Sequence, residues 1–316
     1  MLFAFVALAA PTGAAAHLRS GEVAVDYRAS VVSSNLSVEA RVYQSDRALS
    51  VTAEAGHTVV ILGYLGEPFV RIGAGRVAVN AGSLTAAGLG LLGGSLPGAG
   101  WRLRSRGETF VWHDRRLRGL PAGVDRKRWS IPLVVDGHSA QLTGELERVE
   151  RPPVWPWIAL GLPFVLVTAL LLLRRHMSRV RSAAVALGVT SAVGMLATGA
   201  GFALDSYGSG GKWVAVANEL VFTLVGIAFV VRGSRQVKAI AGSALGFLGL
   251  GVGLSKIPVF LHGVVLSVVP GTITRLIVSV TISAGAAATA LGLLVFEESF
   301  DRGSGEEPAK DETRLG

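Results

Sequence analysis

Apolar positions along this chain follow two different rules. Up to residue 153 they alternate with polar ones in short runs, and from residue 154 to 296 they gather into long blocks. A period of two puts one face of a strand against a core, whereas blocks of about 20 residues match about 30 Å of hydrocarbon at about 1.5 Å per residue. Strands are predicted over residues 23–32, 36–43, 48–53, 58–64, 69–72, 109–112, 129–135 and 139–146. Turn signals separate them at Ser45-Asp46, Ala55-Gly56, Gly66-Glu67-Pro68 and Asp136-Gly137. The Asp-Gly pair predicts a two-residue hairpin, because it tolerates the positive φ of a type I′ turn. Many short strands with regular turns predict an antiparallel β-sandwich over residues 17–153. Residues 81–100, rich in Gly, Ala and Leu, read as a weakly structured loop packed on the membrane surface.

Spans are predicted at 154–173, 183–204, 213–231, 239–255 and 276–296, with Trp155 and Trp157 as interfacial anchors. Residues 257–274 are ambiguous, because Pro258 and Pro270 bracket a shorter core that contains His262. A further span is the preferred reading and puts the C-terminus outside. A re-entrant segment, giving five helices and a cytoplasmic C-terminus, is the alternative. Gly242 with Gly246, and Gly249 with Gly253, have the small-xxx-small spacing that lets helices approach closely in lipid. They read as packing within one chain, with homodimerisation as the alternative. The acidic tail, residues 297–316, is expected to be disordered. The expected fold class is therefore an all-β extracytoplasmic sandwich followed by an α-helical transmembrane bundle of about six helices.

Charge sharpens this picture. The chain is half hydrophobic with a formal net charge of +8, a balance that by itself would suggest nucleic acid. Much of the excess, however, sits between apolar blocks, at Arg174, Arg175, Arg179 and Arg181 and again at Arg232, Arg235 and Lys238. This is the positive-inside pattern of cytoplasmic loops, and it predicts a multi-pass plasma-membrane protein with its N-terminal domain outside. An Arg-rich, Ala/Gly/Val-rich composition suits a high-GC bacterium. With no cysteine, disulfides and thiolate metal sites are excluded. Residues 2–10 are apolar but too short to span, and Ala14 and Ala16 suit signal peptidase. A signal peptide over residues 1–16 would leave His17 as the mature N-terminus. The usual positive n-region is missing, so either the true start lies upstream or the signal is atypical. The Asn35-Leu36-Ser37 sequon carries little weight in a bacterial chain.

Candidate chemistry is sparse. An N-terminal His17 offers its amine and imidazole to one copper ion, and His113 could complete a three-nitrogen Cu(II) site, with Asp114 as ligand or as acceptor for the imidazole. The competing reading leaves these histidines, with His57 and His138, structural or solvated. Glu219 lies inside a span, where a carboxylate must be paired, protonated or wet. Its expected partners are Asn218, Lys212 or a neighbouring helix. His262 and Arg275 are weaker membrane candidates, and Asp205, Tyr207 and Lys212 read as a solvated loop. Arg115, Arg116 and Arg118 belong to a basic run from Arg102 to Arg128 interleaved with aromatics. On an exported domain this suits anionic lipid headgroups, an envelope polymer or a protein partner better than nucleic acid. No nucleophile–base pair or metal triad is apparent, so a non-enzymatic role is expected: copper handling in the cell envelope as the leading reading, with a non-metal envelope interaction or sensor module anchored by the helices as the alternative.

Two segments carry a resemblance. Val59-Val60-Ile61-Leu62-Gly63-Tyr64-Leu65-Gly66-Glu67-Pro68-Phe69 resembles the V-V-L-G-Y-x-G-E-P segment, followed by Tyr or Phe, of a family of uncharacterised actinobacterial multi-pass membrane proteins with an exported N-terminal domain. Trp112-His113-Asp114 resembles their W-H-D motif, and Trp155-Pro156-Trp157 is similar to their entry into the first helix. The resemblance covers the exported part and the start of the membrane part, and it implies an architecture without an activity. Those proteins tend to carry further histidines after W-H-D, where this chain has Arg115-Arg116-Leu117-Arg118. They also tend to have a polar Asn/Arg segment where it has Asn80-Ala81-Gly82-Ser83. Both departures weaken a metal site here. The exported sandwich with a leading histidine is also similar in architecture to copper-resistance C-type proteins.

Overall fold

A computed structural model describes residues 22–32, 36–43, 45, 48–92, 98–117, 119–174, 176–205 and 210–304. The expected signal peptide, His17, Asn35, Arg118, Arg175, Tyr207 and the last part of the tail lie outside the described residues.

The N-terminal part is sheet-rich. Its strands are β1 (Ala24–Val25), β2 (Tyr27–Val31), β3 (Val38–Tyr43), β4 (Ala48–Ala53), β5 (Val59–Leu62), β6 (Pro68–Gly73) and β7 (Arg76–Asn80). A short helix α1 (Leu84–Gly88) follows, then β8 (Trp101–Arg106), β9 (Thr109–Trp112), β10 (Arg126–Val135) and β11 (His138–Arg148). Seven strands form one antiparallel sheet in the order β2-β11-β10-β5-β6-β7-β8, and β3-β4-β9 form a second. Both contribute to one core. Leu49, Val51, Phe110 and Trp112 of the small sheet meet Ile61, Phe69, Ile72 and Leu133 of the large one. Phe69 crosses between them, its ring 6.0 Å from Phe110 and 6.2 Å from Trp112 in edge contacts. Paired aromatics of this kind bury large apolar areas.

The Asp-Gly hairpin forms as the residues dictate. Val135 pairs with His138, and Asp136 and Gly137 hold φ of 49° and 82°. Three features differ from the sequence expectation. β7 and β8 occupy residues outside the predicted strands; in β8, at the sheet edge, alternating arginines hide the apolar period. Within the segment read as a loop, residues 84–88 form the helix α1. Ser83 caps α1 by accepting the Ala86 N–H at 3.1 Å, and Ser83, Thr85 and Ala86 are buried. The expected first strand is also split at Asp26, where the chain changes sheets.

The C-terminal part is helical. It comprises α2 (Trp155–Ala159), α3 (Leu162–Arg174), α4 (Met177–Asp205), α5 (Gly210–Arg232), α6 (Arg235–Leu254), α7 (Pro258–Leu261), the strand β12 (Val264–Val265) and α8 (Gly271–Ser304). Five helical stretches among the described residues are long and apolar enough to cross a membrane. α4, α6 and α8 pack backbone to backbone. A Cβ on Gly188 would fall on the Gly242 carbonyl, and one on Gly246 would meet Ala288. Gly249 abuts Ser191, and Gly253 abuts Ile282. The small-xxx-small residues of α6 are thus used within the chain. α3 and α5 lie outside this trio, with most of their apolar side chains exposed. Trp155 is exposed as an interfacial residue would be. Trp157 instead packs on Phe260, and its carbonyl accepts the Ser279 hydroxyl at 2.7 Å.

The preferred sixth span does not form. Residues 257–270 make one short helix and then β12, which pairs with β1, Ala24 opposite Val265 and Val25 opposite Val264. The physical reason is local. Pro258 starts a helix that ends at Leu261, His262 is extended (φ −125°, ψ 150°), and the chain leaves helical geometry before it could cross. Both ends of this loop therefore lie at the end of the bundle that carries the sheets. The end of α8 lies at the other, where Glu298 pairs with Arg181 at 2.7 Å. α8 also continues to Ser304, into the tail expected to be disordered.

Candidate functional site

The described candidates fall at three places. The first is the joint between the sheets and the helices. Asp26 occupies the bend between β1 and β2. Its Oδ2 accepts Nε and Nη2 of Arg151 at 3.0 and 2.7 Å, where the chain enters the helices. Its Oδ1 accepts the Gly263 N–H at 3.2 Å and lies 3.6 Å from Nδ1 of His262. Burial works to raise the Asp26 pKa, but the Arg151 hydrogen bond, the Gly263 N–H and the charges of His262 and Arg151 outweigh it and hold the carboxyl below its usual range. Gly263 must be small, since a Cβ there would lie 2.6 Å from the Glu150 carbonyl. Arg275, in the first turn of α8, donates Nε to the Val259 carbonyl at 2.7 Å and Nη2 to those of His262 and Gly263 at 2.9 and 3.0 Å. Arg275 thus satisfies one carbonyl of the four-residue helix α7, that of Val259, and two carbonyls of the chain just past its end. His262 and Arg275 are therefore brought together as parts of one joint. Val23 extends it by packing against Phe202, Phe260 and Val278.

The second place unites the two segments that carry the family resemblance. Asp114 is buried. Its Oδ2 accepts the Trp112 indole N–H at 2.9 Å and Nη2 of Arg116 at 2.6 Å, and its Oδ1 accepts the Arg116 backbone N–H at 2.8 Å. Arg116 lies over the Tyr64 ring at 5.1 Å, and the Tyr64 hydroxyl accepts the Arg115 N–H at 3.0 Å. In the β5–β6 turn, Glu67 accepts the Ser83 hydroxyl at 2.9 Å and the N–H groups of Thr85 and Leu65 at 3.0 and 3.1 Å. Burial opposes ionisation of Glu67, but hydrogen bonds from Thr85, its own backbone and Ser83 outweigh it and lower the pKa to about 2. The arrangement clamps β9 and α1 onto one turn. Asp114 spends both oxygens on this clamp, and Arg116 is engaged by it; Arg115 and His113 are exposed. Among the described residues no group of three His, Cys, Asp or Glu gathers to hold a metal.

The third place is inside the helices. Glu219 of α5 presses against Gly199 of α4, the glycine leaving room for its carboxylate, and among the described residues its buried Oε2 has no hydrogen-bond partner. Lys256 interacts with its charge and lies over the Phe202 ring at 5.2 Å. Lys212, one expected partner, instead donates to the Phe202 carbonyl at 3.4 Å. Sequence reasoning missed Lys256, Asp26 and Arg151. The readable signal for Lys256 was a single cation next to an apolar block, while Asp26 and Arg151 look like ordinary surface residues until the chain folds.

Compared with known proteins, the chain matches no family model, no curated protein and no solved structure.

Proposed function

We propose that the protein is a multi-pass plasma-membrane protein whose exported β region, folded as a sandwich, is an interaction or sensor module for an anionic envelope partner, coupled to the helices that anchor it. The observation that carries this reading is the β1–β12 pairing with its Asp26–Arg151 ion pair, which ties the sheets to the loop between α6 and α8. A region that only needed an anchor would require one linker. Here the N-terminal strand, the exit from β11 and the α6–α8 loop are hydrogen-bonded together, so a displacement of the sheets is felt at the start of α8. The positive-inside pattern supports the exported orientation. Edge strand β8 supplies a binding surface, with Arg102, Arg104 and Arg106 exposed and Arg76 opposite Arg106. Charges on an edge strand also block unwanted strand pairing. Copper handling, the competing proposal, rests on His17 and His113 once Asp114 is committed to Trp112 and Arg116.

The test uses the full chain in nanodiscs of neutral phosphatidylcholine, titrated with a glycerol-phosphate polymer of the teichoic-acid type. Binding should fall when Arg102, Arg104 and Arg106 are replaced by Gln. Hydrogen exchange at residues 264–265 should change on binding in the parent protein and not in Asp26→Asn. Absence of binding, or binding indifferent to the three arginines, would overturn the interaction reading. An unchanged exchange pattern on binding would reduce the helices to an anchor.

A further inference from the structure

A cleft of about 320 Å³ opens beside the joint, between β2, β12 and the start of α8. Its charged lining residues are both arginines, Arg28 and Arg275, and no described acidic side chain lines it. Arg275 is 7% exposed, and its only bonds among the described residues run from Nε and Nη2 to backbone carbonyls. No described carboxylate pairs with it, and Nη1 makes no described hydrogen bond. Nη1 is directed at Gly271, where an added Cβ would lie 3.3 Å away. A buried cation without a counter-charge is costly, and an anion in the cleft would remove that cost.

Two further features favour an anion. Gly271 opens α8, whose first bond back into the preceding turn is Thr274 N–H to the Pro270 carbonyl at 2.9 Å. The N–H groups ahead of it have no helical acceptor, and the positive end of a 34-residue helix points the same way. Arg28 on β2 is exposed and brings a second guanidinium to the other wall. Glu147, opposite it in the ladder, pairs instead with Arg126 at 2.8 Å. Asp26, the nearest acid on the same strand run, pairs with Arg151. Two guanidiniums and a helix terminus match the fork-like acceptors of a phosphate group.

We infer that this cleft binds a phosphate-class anion, supplied either by the phosphodiester headgroup of an anionic phospholipid or by free phosphate. It lies where α8 begins its span, at headgroup level. The occupant would then brace the β1–β12 joint.

The experiment uses full-length protein in nanodiscs of phosphatidylcholine with and without phosphatidylglycerol, read by native mass spectrometry of retained lipid and by thermal stability. Inorganic phosphate is titrated separately into the phosphatidylcholine discs. Arg275 also holds the Val259, His262 and Gly263 carbonyls, so Arg275→Ala could fail to fold. Arg28→Gln and Arg28→Glu leave that role intact. Phosphatidylglycerol retention that falls about tenfold in Arg28→Gln, and further in Arg28→Glu, supports the site with a lipid headgroup as ligand. Stabilisation by inorganic phosphate that is lost in the same variants supports it with a free anion as ligand. Retention equal in parent and Arg28→Glu, with no effect of phosphate, overturns the proposal.

Discussion

Among single residues, the sharpest contrast is between Asp114 and Glu67 on one side and Glu219 on the other. Both acids have every oxygen engaged: Asp114 accepts from Trp112 and Arg116 in its own segment and so holds Arg116 over Tyr64, while Glu67 accepts from Leu65 in its own turn and from Ser83 and Thr85, which ties the β5–β6 turn to α1. Glu219 keeps a buried oxygen without a donor among the described residues. A sequence shows all three as acids and cannot count their donors. Glu67 gives a pH prediction. Its folded pKa of about 2 lies below the ordinary 4.5, so its stabilisation is complete above that ordinary value. It is lost as pH falls from about 4.5 toward 2. Denaturant midpoints followed by tryptophan fluorescence should decline over that range, and Glu67→Gln should flatten the decline while lowering the midpoint at neutral pH. An identical acid profile in the variant would remove Glu67 from the account.

At the scale of elements, long-period patterns were legible and exceptions to them were not. The span positions follow from hydropathy alone, as does the β10–β11 hairpin from Asp136-Gly137. Residues 257–274 defeated the same reasoning, because their apolar content fits a span while Pro258, the extended His262 and pairing with β1 make them a loop. That pairing joins residues about 240 positions apart, beyond any local signal. The helix glycines separate in the same way. Gly242 and Gly251 look alike in sequence, yet a Cβ on Gly242 would strike Val185 and the Ala184 carbonyl, while one on Gly251 meets nothing. Gly242→Ala should therefore lower the melting temperature in detergent by several degrees or prevent a monodisperse preparation, a cost of about 1–3 kcal/mol for overpacking. Gly251→Ala should leave it unchanged or slightly higher, since Ala is the better helix former. Equal behaviour of the two would contradict the α4–α6 contact.

For the whole molecule, five helical stretches apolar enough to cross a membrane put the sheets and the end of α8 at opposite ends of the bundle. The absence of cysteine makes this directly testable. A single cysteine at Gly137, in the hairpin, should react with a membrane-impermeant maleimide in intact cells. One at Glu298, beside Arg181, should react only after permeabilisation. Labelling of both positions in intact cells would restore an even number of spans. The same arrangement places Arg174, Arg179, Arg181, Arg232 and Arg235 away from the sheets, so the charge pattern and the geometry agree on relative orientation.

The sequence by itself determined that the chain has a sheet-rich N-terminal part followed by helices apolar enough to cross a membrane. Hydrophobic period and turn chemistry are local properties, and they survive without a partner. The tertiary structure alone decided that residues 257–270 return to the sheets, that Asp114 bonds to Trp112 and Arg116, and that Asp26, Arg151, His262 and Arg275 share one joint. Each of those outcomes depends on which distant donor or acceptor satisfies a buried polar group, and a linear chain does not contain that information.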